Sequence, residues 1–281
     1  MASRKEQKEQ ARATRLAQEQ ATAAKAQRTR RIQIFGGAIV IAVIVIVVAI
    51  VISSGGSTTP KGTSTGLATG AKLASIKKNI NTVIGGIPQS GNTLGNPSAP
   101  VTMQYFGDLE CPVCQAFTLL VFPTFVHDEV RTGKVKVIYR SMCTATCDGK
   151  RAAALQQQQF NSQQVAAGAA GKQSKFWDYA ELFYHQQGSE GTGYANDAFL
   201  TGLAKQVDGL KVPTWQTDRG DAGLKAAVAA DGAYATKAAL QGTPTLIMSG
   251  KKGTEIVPGS YEGVYAFPSP GELAKAVQNV S

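Results

Sequence analysis

Two cysteines, Cys111 and Cys114, lie three residues apart, directly after an apolar segment at residues 101–106 that is typical of a strand. If a helix starts at Cys111, this spacing puts both sulfurs on one helix face, close enough for a disulfide to open and close. Cys111 then lies in the first turn, where free backbone N–H groups and the helix dipole favour a thiolate, the species that attacks disulfides. The pattern therefore predicts dithiol–disulfide exchange, with Cys111 as the nucleophile and Cys114 as the resolving thiol.

The same two cysteines also fit a structural disulfide or half of a zinc site. Zinc would require a second ligand pair of the same kind, or two histidines at ligand spacing. The chain has only two histidines, His127 and His185, and they are far apart in the sequence. We therefore expect no metal, and no bound cofactor, because the cysteines themselves carry the electrons of an exchange reaction.

A proline more than a hundred residues downstream is the second signal. Pro244 follows Thr243 at the start of an apolar segment, residues 245–248. Since proline cannot donate to a strand ladder, it must stand at a strand start, at an edge or in a special turn. A cis Thr243–Pro244 bond is one way to hold such a turn, and it would leave the Thr243 backbone free to pair with an extended peptide. An ordinary turn proline is the alternative.

Four segments occur in an order that resembles the DsbA-like branch of the thioredoxin-fold thiol–disulfide oxidoreductases, in particular its membrane-anchored bacterial members. The segments are residues 94–101 (LGNPSAPV), 106–114 (FGDLECPVC), 175–178 (KFWD) and 242–245 (GTPT). The resemblance implies a thioredoxin fold with a helical insertion, an exposed nucleophilic cysteine, a buried partner cysteine and a cis-proline facing them. One difference is that Pro112-Val113 stands between the cysteines, whereas the best-known oxidising members have Pro-His there.

The order of the predicted elements agrees with an α/β fold of this kind. The 281 residues are 43% hydrophobic and 17% charged, which is enough apolar material for one sizeable domain, predicted at residues 73–281. Strand patterns occur on either side of the first cysteine pair, helical patterns fill residues 150 to about 240, and strands and a last helix follow. We therefore predict a thioredoxin-like α/β fold with an inserted helical subdomain.

An uncharged segment near the N-terminus predicts a membrane span. Residues 34–52 are nineteen residues without a charge, thirteen of them Val or Ile. As a helix at roughly 1.5 Å per residue this segment is about 28 Å long, close to the ~30 Å thickness of the bilayer's hydrocarbon core. It is longer than the core of a signal peptide, which is roughly 7–15 residues, and it has no Ala-x-Ala-like exit. We therefore expect an uncleaved signal-anchor, so that one transmembrane helix precedes the domain.

The charges around that segment predict its orientation. Residues 1–33 carry nine Lys or Arg against three acidic residues, and this excess favours a cytoplasmic location. Residues 53–72 are rich in Ser, Gly and Thr, as in a flexible linker. The catalytic domain is then expected outside the cytoplasm, on a single-pass protein of the cell membrane. The net charge of +10 does not indicate nucleic-acid binding, because +6 of it lies in residues 1–33 and no basic run is interleaved with aromatic residues.

Other residues near the first cysteine pair are candidates for tuning its chemistry. Asp108 and Glu110 are carboxylates so close to Cys111 in sequence that they would raise its pKa or relay protons, unless they are only loop or capping residues. Cys143 and Cys147 are the remaining two cysteines, and we expect them to form a second disulfide, because they lie within one loop. That disulfide is either a structural clip or a second redox pair that exchanges electrons with Cys111.

We expect an oxidant that exchanges disulfides with exported, cysteine-containing proteins. The resemblance implies re-oxidation by a quinone-linked membrane partner of the DsbB or vitamin K epoxide reductase type. A reductase or an isomerase would use the same residues. A different class of function is also open, namely a tethered peptide-binding or chaperone module that holds extended peptides at Thr243 and Pro244 and whose disulfide is structural.

Overall fold

The computed structural model of the chain describes residues 66–148 and 151–281. Its single sheet has six strands in the spatial order β1-β2-β4-β3-β5-β6. The strands are β1 (Gln89–Ser90), β2 (Thr93–Leu94), β3 (Val101–Gly107), β4 (Val135–Ser141), β5 (Thr245–Gly250) and β6 (Gly253–Ile256). Only β3 and β4 are parallel to each other, and the other neighbouring strands are antiparallel.

Strand β3 lies at the centre of the sheet, which explains its sequence. It pairs with β4 on one side and β5 on the other, and Val101, Met103 and Tyr105 are at most 1% exposed. The two polar residues, Thr102 and Gln104, are the partly exposed ones, and the other five residues of the strand are buried, so its apolar side chains lie in the core. The segment that follows β3 therefore begins at the C-terminal end of a central strand. Open α/β sheets place their functional groups outside such strand ends.

Nine α-helices and two short helical turns complete the described part of the chain. The helices are α1 (Gly70–Ile84), α2 (Pro112–Leu120), α3 (Phe122–Phe125), α4 (Ala153–Gly171), α5 (Phe176–His185), α6 (Asp197–Gln206), α7 (Val212–Asp218), α8 (Ala222–Lys237) and α9 (Pro270–Val280). A π-helical turn spans Val126–Val130, and a 3-10 turn spans Ala145–Cys147. Helices α4 to α8 all lie between β4 and β5 in sequence, so the predicted α/β architecture with a helical insertion is confirmed.

An aromatic cluster joins the sheet to the insertion. Tyr105 of β3 and Tyr139 of β4 have ring centroids 5.3 Å apart, and Trp177 of α5 stacks on Phe122 at 5.3 Å. Trp215 of α7 is fully buried, and its indole N–H donates to a carbonyl of α4. Such rings bury large apolar areas and prefer offset or edge contacts, so they fix the position of the insertion over the sheet.

The folded domain begins earlier than residue 73, which corrects the predicted end of the linker. Helix α1 starts at Gly70, and Ala68 is 8% exposed. The Ala68 N–H donates to the Gln186 side chain, and the Ala68 carbonyl accepts from Gln206. These contacts with the insertion tie down a segment whose Thr, Gly and Ala content gives no hydrophobic periodicity in the sequence.

The predicted N-terminal segments, residues 1–33 and 34–52, and residues 53–65 of the predicted linker lie outside the described residues. Within the described ranges, no helix is both long and apolar enough to cross a bilayer.

Candidate active site

Helix α2 begins directly after Cys111, one residue later than the spacing argument assumed. Cys111 is the N-cap, and Pro112 occupies the first helical position, where its fixed φ and missing N–H carry no cost. The Cys111 sulfur accepts a hydrogen bond from the Cys114 N–H at 3.4 Å, as a capping side chain does. The cysteine spacing therefore directs one free N–H of the helix at the first sulfur.

Both thiols are free and buried, so the structure describes the dithiol form of the pair. Cys114 is 0% exposed, as the resemblance implies for the partner cysteine. Cys111 is 5% exposed, so the expectation of an exposed nucleophile is wrong for this form. The Cys111 sulfur lies 3.5 Å from the Thr243 carbonyl, and the Gln187 side chain, which follows α5, donates to the carbonyls of Leu109 (2.7 Å) and Cys111 (3.2 Å) beside it.

The two thiols differ in acidity. A hydrogen bond from Cys114, together with those from Thr243 and the α2 backbone, outweighs burial and lowers the pKa of Cys111 to about 7. Burial raises the pKa of Cys114 well above its ordinary value, and the hydrogen bond to Cys111 and the charge of that thiolate raise it further. Near neutral pH the first cysteine is therefore substantially thiolate and the second is a thiol, which is the state that exchange chemistry requires of a nucleophile and its proton-holding partner.

The loop before β5 lies against Cys111. The Thr243–Pro244 peptide bond is cis, as one of the two sequence hypotheses has it. The Cys111 thiol donates to the Thr243 carbonyl at 3.5 Å, across 132 residues of sequence. Thr243 is half-buried and Pro244 is buried. The structure thus brings together the CxxC motif and the Thr-Pro motif, which lie far apart in the sequence.

Asp108 is fully buried and holds two loops together. Its Oδ1 accepts from the Glu110 N–H at 3.0 Å and from the Thr146 hydroxyl at 2.6 Å, and its Oδ2 accepts from the N–H groups of Thr144 and Thr146, both at 2.9 Å. A buried carboxylate with four donors is a strong organising group. Of the predicted alternatives, these contacts match the loop-organising one.

Glu110 is also fully buried, and it faces the insertion. Its Oε1 accepts from the side-chain amides of Gln163 (2.6 Å) and Gln159, and its Oε2 accepts from the Gly191 N–H at 3.3 Å. Burial raises the pKa of Glu110, although these hydrogen bonds oppose the shift. The carboxyl group next to Cys111 therefore binds the CxxC loop to α4 and to the loop after α5.

Cys143 and Cys147 form a disulfide with a Cα–Cα distance of 5.7 Å, which is the pairing expected from the sequence. It lies after β4, both cysteines are half-buried, and they pack against the small apolar cluster of Phe160, Val165 and Val228. Within residues 66–148 and 151–281, no three His, Cys, Asp or Glu side chains lie close enough together to hold a metal ion.

Several residues of the site carry no signal in the sequence. Tyr105 and Tyr139 reach the hydroxyl of Tyr184 at 3.5 and 3.3 Å, and the Tyr105 hydroxyl lies 3.4 Å from the Cys114 carbonyl, so these hydroxyls lie beneath the cysteine pair. Burial raises the pKa of all three tyrosines well above the ordinary value, and they stay neutral. No sequence pattern identifies four further residues of the site, because their role depends on tertiary contacts alone. They are Thr144, Gln159, Gln163 and Gln187.

Comparisons with known proteins agree with this geometry. A family model described as thioredoxin matches residues 89–264. The disulfide bond formation protein D of Bacillus subtilis (strain 168) is 27% identical over 158 residues, which are 56% of this chain and 67% of that protein. The crystal structure of oxidised BdbD from Bacillus subtilis superposes with a TM-score of 0.54 at 22% identity, covering 68% of this chain and 95% of that one. Chlamydia trachomatis DsbA superposes with a TM-score of 0.51 at 16% identity, covering 78% and 96%.

Proposed function

Because the chain belongs to the thioredoxin family and is a DsbA-like thiol–disulfide oxidoreductase, we propose that it forms disulfides in exported proteins through Cys111 and Cys114. The observation that carries this proposal is the asymmetry of the pair. Cys111 caps a helix and has a pKa lowered to about 7, whereas the pKa of fully buried Cys114 is raised. In such a pair the first sulfur forms the mixed disulfide with the substrate, and the second is the resolving thiol.

The oxidation of a substrate would proceed in two exchanges. A substrate thiolate attacks the Cys111 sulfur of the oxidised pair, and Cys114 leaves and takes up a proton, as its raised pKa favours. A second substrate thiolate then attacks the substrate sulfur of this mixed disulfide, and Cys111 leaves as the stabilised thiolate. Two electrons pass from the substrate to the enzyme pair, and the substrate gains one disulfide.

The substrate would dock as an extended segment beside Thr243 and Pro244. These residues directly precede β5, and the Thr243 carbonyl lies 3.5 Å from the Cys111 sulfur. An extended peptide that pairs with the Thr243 main chain would place a substrate cysteine against the reactive sulfur.

The domain would act outside the cytoplasm, tethered to the cell membrane. The support is the sequence: residues 34–52 are long enough to span, and the basic residues 1–33 favour a cytoplasmic N-terminus. Residues 53–65 would link the span to the folded domain. A quinone-linked membrane protein of the DsbB or vitamin K epoxide reductase type would re-oxidise the pair.

A second direction of exchange is supported by one observation. A Cys111 pKa of about 7 lies near the value of roughly 7 for thioredoxin and far above the roughly 3.5 of DsbA. A less stabilised thiolate makes a weaker oxidant, so reductase or isomerase activity is the alternative function of this site.

The test is a trapping experiment on the full chain in cells. With Cys114→Ala the resolving thiol is missing, so mixed disulfides with exported proteins should accumulate on Cys111 and disappear when a reductant is added. Cys111→Ser/Cys114→Ala is the matched control and should trap nothing. Absence of any adduct with Cys114→Ala would favour the peptide-binding module over an enzyme. Adducts with cytoplasmic proteins alone would contradict the proposed location.

A further inference from the structure

The loop that carries the second disulfide contacts the cis-proline loop. Thr144 lies between the two bonded cysteines, and its Oγ1 is 2.6 Å from the Oγ1 of Thr243. Ninety-nine residues separate the two threonines, and both are half-buried. A hydroxyl-to-hydroxyl hydrogen bond of this length joins the segment after β4 to the segment that faces Cys111.

Thr144 itself is fixed from two directions. Its N–H donates to Asp108 Oδ2 at 2.9 Å, and the same carboxylate receives two bonds from Thr146. The Cys143–Cys147 disulfide closes the turn around it. These restraints hold the Thr144 backbone at a place from which its hydroxyl reaches Thr243.

Thr243 in turn contacts the reactive sulfur with two groups that act in opposite directions. Its carbonyl accepts from the Cys111 thiol at 3.5 Å, which favours the protonated form, whereas the hydrogen bond of its side chain lowers the pKa of Cys111. A hydroxyl has one proton and two lone pairs. When Thr144 donates to the Thr243 oxygen, the Thr243 proton is free to point at the Cys111 thiolate, and successive hydrogen bonds of this kind strengthen one another.

We propose that Thr144, held in place by the Cys143–Cys147 disulfide and by Asp108, is a positioning residue for the exchange reaction, because it orients Thr243 toward Cys111. This proposal rests on the proposed function, since it concerns the same reaction. The second disulfide stays oxidised throughout and exchanges no electrons. The disulfide holds Thr144 in a position from which Thr144, through Thr243, stabilises the Cys111 thiolate that leaves in the second exchange.

The expected effect follows from the loss of that orientation. Thr144→Val keeps the shape and removes the hydroxyl, so the Cys111 pKa should rise by a few tenths to about one unit, up to about tenfold less thiolate below the pKa. The thiolate belongs to the reduced form, so the pair becomes a weaker oxidant. A tenfold change in the exchange equilibrium corresponds to about 30 mV. Cys143→Ser/Cys147→Ser should shift the pKa in the same direction.

The test measures the Cys111 pKa in the purified full-length protein, from the pH dependence of its alkylation by iodoacetamide, with mass spectrometry to separate Cys111 from Cys114. Four proteins are compared: wild type, Thr144→Val, Thr144→Ser and Thr82→Val. Thr144→Ser should restore the wild-type pKa. Thr82 is an exposed residue of α1 whose hydroxyl donates to the Lys78 carbonyl, so Thr82→Val is the matched control and should leave the pKa unchanged. The glutathione equilibrium of each protein gives an independent readout.

The proposal is overturned if Thr144→Val has the wild-type pKa and glutathione equilibrium, and Thr144 is then part of a structural clip only. The same conclusion follows if Thr144→Ser shifts the pKa as far as Thr144→Val does. If the double cysteine variant does not fold, the Thr144 variants decide, because they retain the disulfide. A wild-type protein that does not exchange with glutathione would instead refute the proposed function, which is a distinguishable result.

Discussion

The two cysteine pairs of this chain have similar spacing but different surroundings. Cys111 and Cys114 are separated by three positions, are buried as free thiols, and lie where a helix begins after the central strand. Cys143 and Cys147 are separated by four positions, are half-buried, and are bonded across a 3-10 turn. The first pair has N–H donors directed at one sulfur, which stabilise the open, reduced form. The second pair has no such helix, and its sulfurs pack against apolar side chains.

We infer from this difference that the place in the fold, more than the spacing, decides what a cysteine pair does. A helix N-terminus lowers the pKa of one thiol, and burial raises the pKa of its partner, so the pair can accept and return electrons. The link between the two pairs is Asp108, which accepts from the backbone beside each of them.

The largest expected difference between the pairs is in turnover. Cys111→Ser should reduce thiol oxidation of a dithiol peptide to the uncatalysed rate, because the attacked sulfur is gone. Cys143→Ser/Cys147→Ser should retain turnover within about tenfold, since only the orientation of Thr243 changes. Peptide oxidation followed by fluorescence measures both. Loss of turnover in a folded double variant would mean that the second disulfide relays electrons.

Asp108→Asn should destabilise the protein more than any change in the second disulfide. An asparagine retains one oxygen, but its NH₂ group would face two of the four donors, and a bond to a charged group contributes roughly 1.5–3 kcal/mol. We expect a loss of about 3 kcal/mol in the free energy of unfolding, measured by urea titration. Asp128→Asn, at an exposed hydrogen bond with His127, is the control and should change it by less than about 1 kcal/mol. Equal effects would show that Asp108 organises nothing.

Removal of the second disulfide should have a smaller effect on stability. The loop from residue 143 to residue 147 is short, so closing it restricts the unfolded chain only moderately, by about 2 kcal/mol. Cys143→Ser/Cys147→Ser should therefore lower the melting temperature by about 4–8 °C. A variant that melts like the wild type would show that the disulfide does not stabilise the fold.

The smallest expected effect is the pH dependence of the stability difference between the reduced and the oxidised protein. This effect is specific to the first cysteine pair. The folded-state pKa of Cys111 is depressed to about 7, so the thiolate stabilises the folded, reduced protein fully above the unfolded value of roughly 8.5. That contribution is lost as the pH falls through about 7. The reduced protein should therefore gain stability relative to the oxidised one between about pH 6 and pH 8.5, by calorimetry. A constant difference across that window would contradict the lowered pKa.

The sequence predicts the chemistry of the site better than its surroundings. Cys111, Cys114 and Pro244 are identified by local rules, because cysteine spacing at a helix start and proline at a strand start have physical meaning without the rest of the fold. Strands β3 and β5 can be predicted from their apolar segments. The two-residue strands β1 and β2 cannot be predicted, since they are too short to show a hydrophobic period.

The groups that tune the site follow from tertiary contacts and could not be predicted. Gln159 and Gln163 belong to a helix of glutamines and alanines, and nothing in that pattern shows that they bind Glu110. Gln187 donates to the Cys111 carbonyl from a segment with no motif, and the exposed nucleophile that the resemblance implies is buried in this structure. Thr144 reaches Thr243 only because the loop after β4 and the loop before β5 meet at the same end of the sheet's strands.

A redox titration of the full-length protein against glutathione distinguishes the exchange pair from the structural pair. Each cysteine pair is followed separately by differential alkylation and mass spectrometry. We predict that Cys111–Cys114 titrates as one two-electron couple with a potential between about −120 and about −270 mV, while Cys143–Cys147 stays oxidised throughout that range. If Cys143–Cys147 titrates there and Cys111–Cys114 does not, the assignment of the two pairs is contradicted.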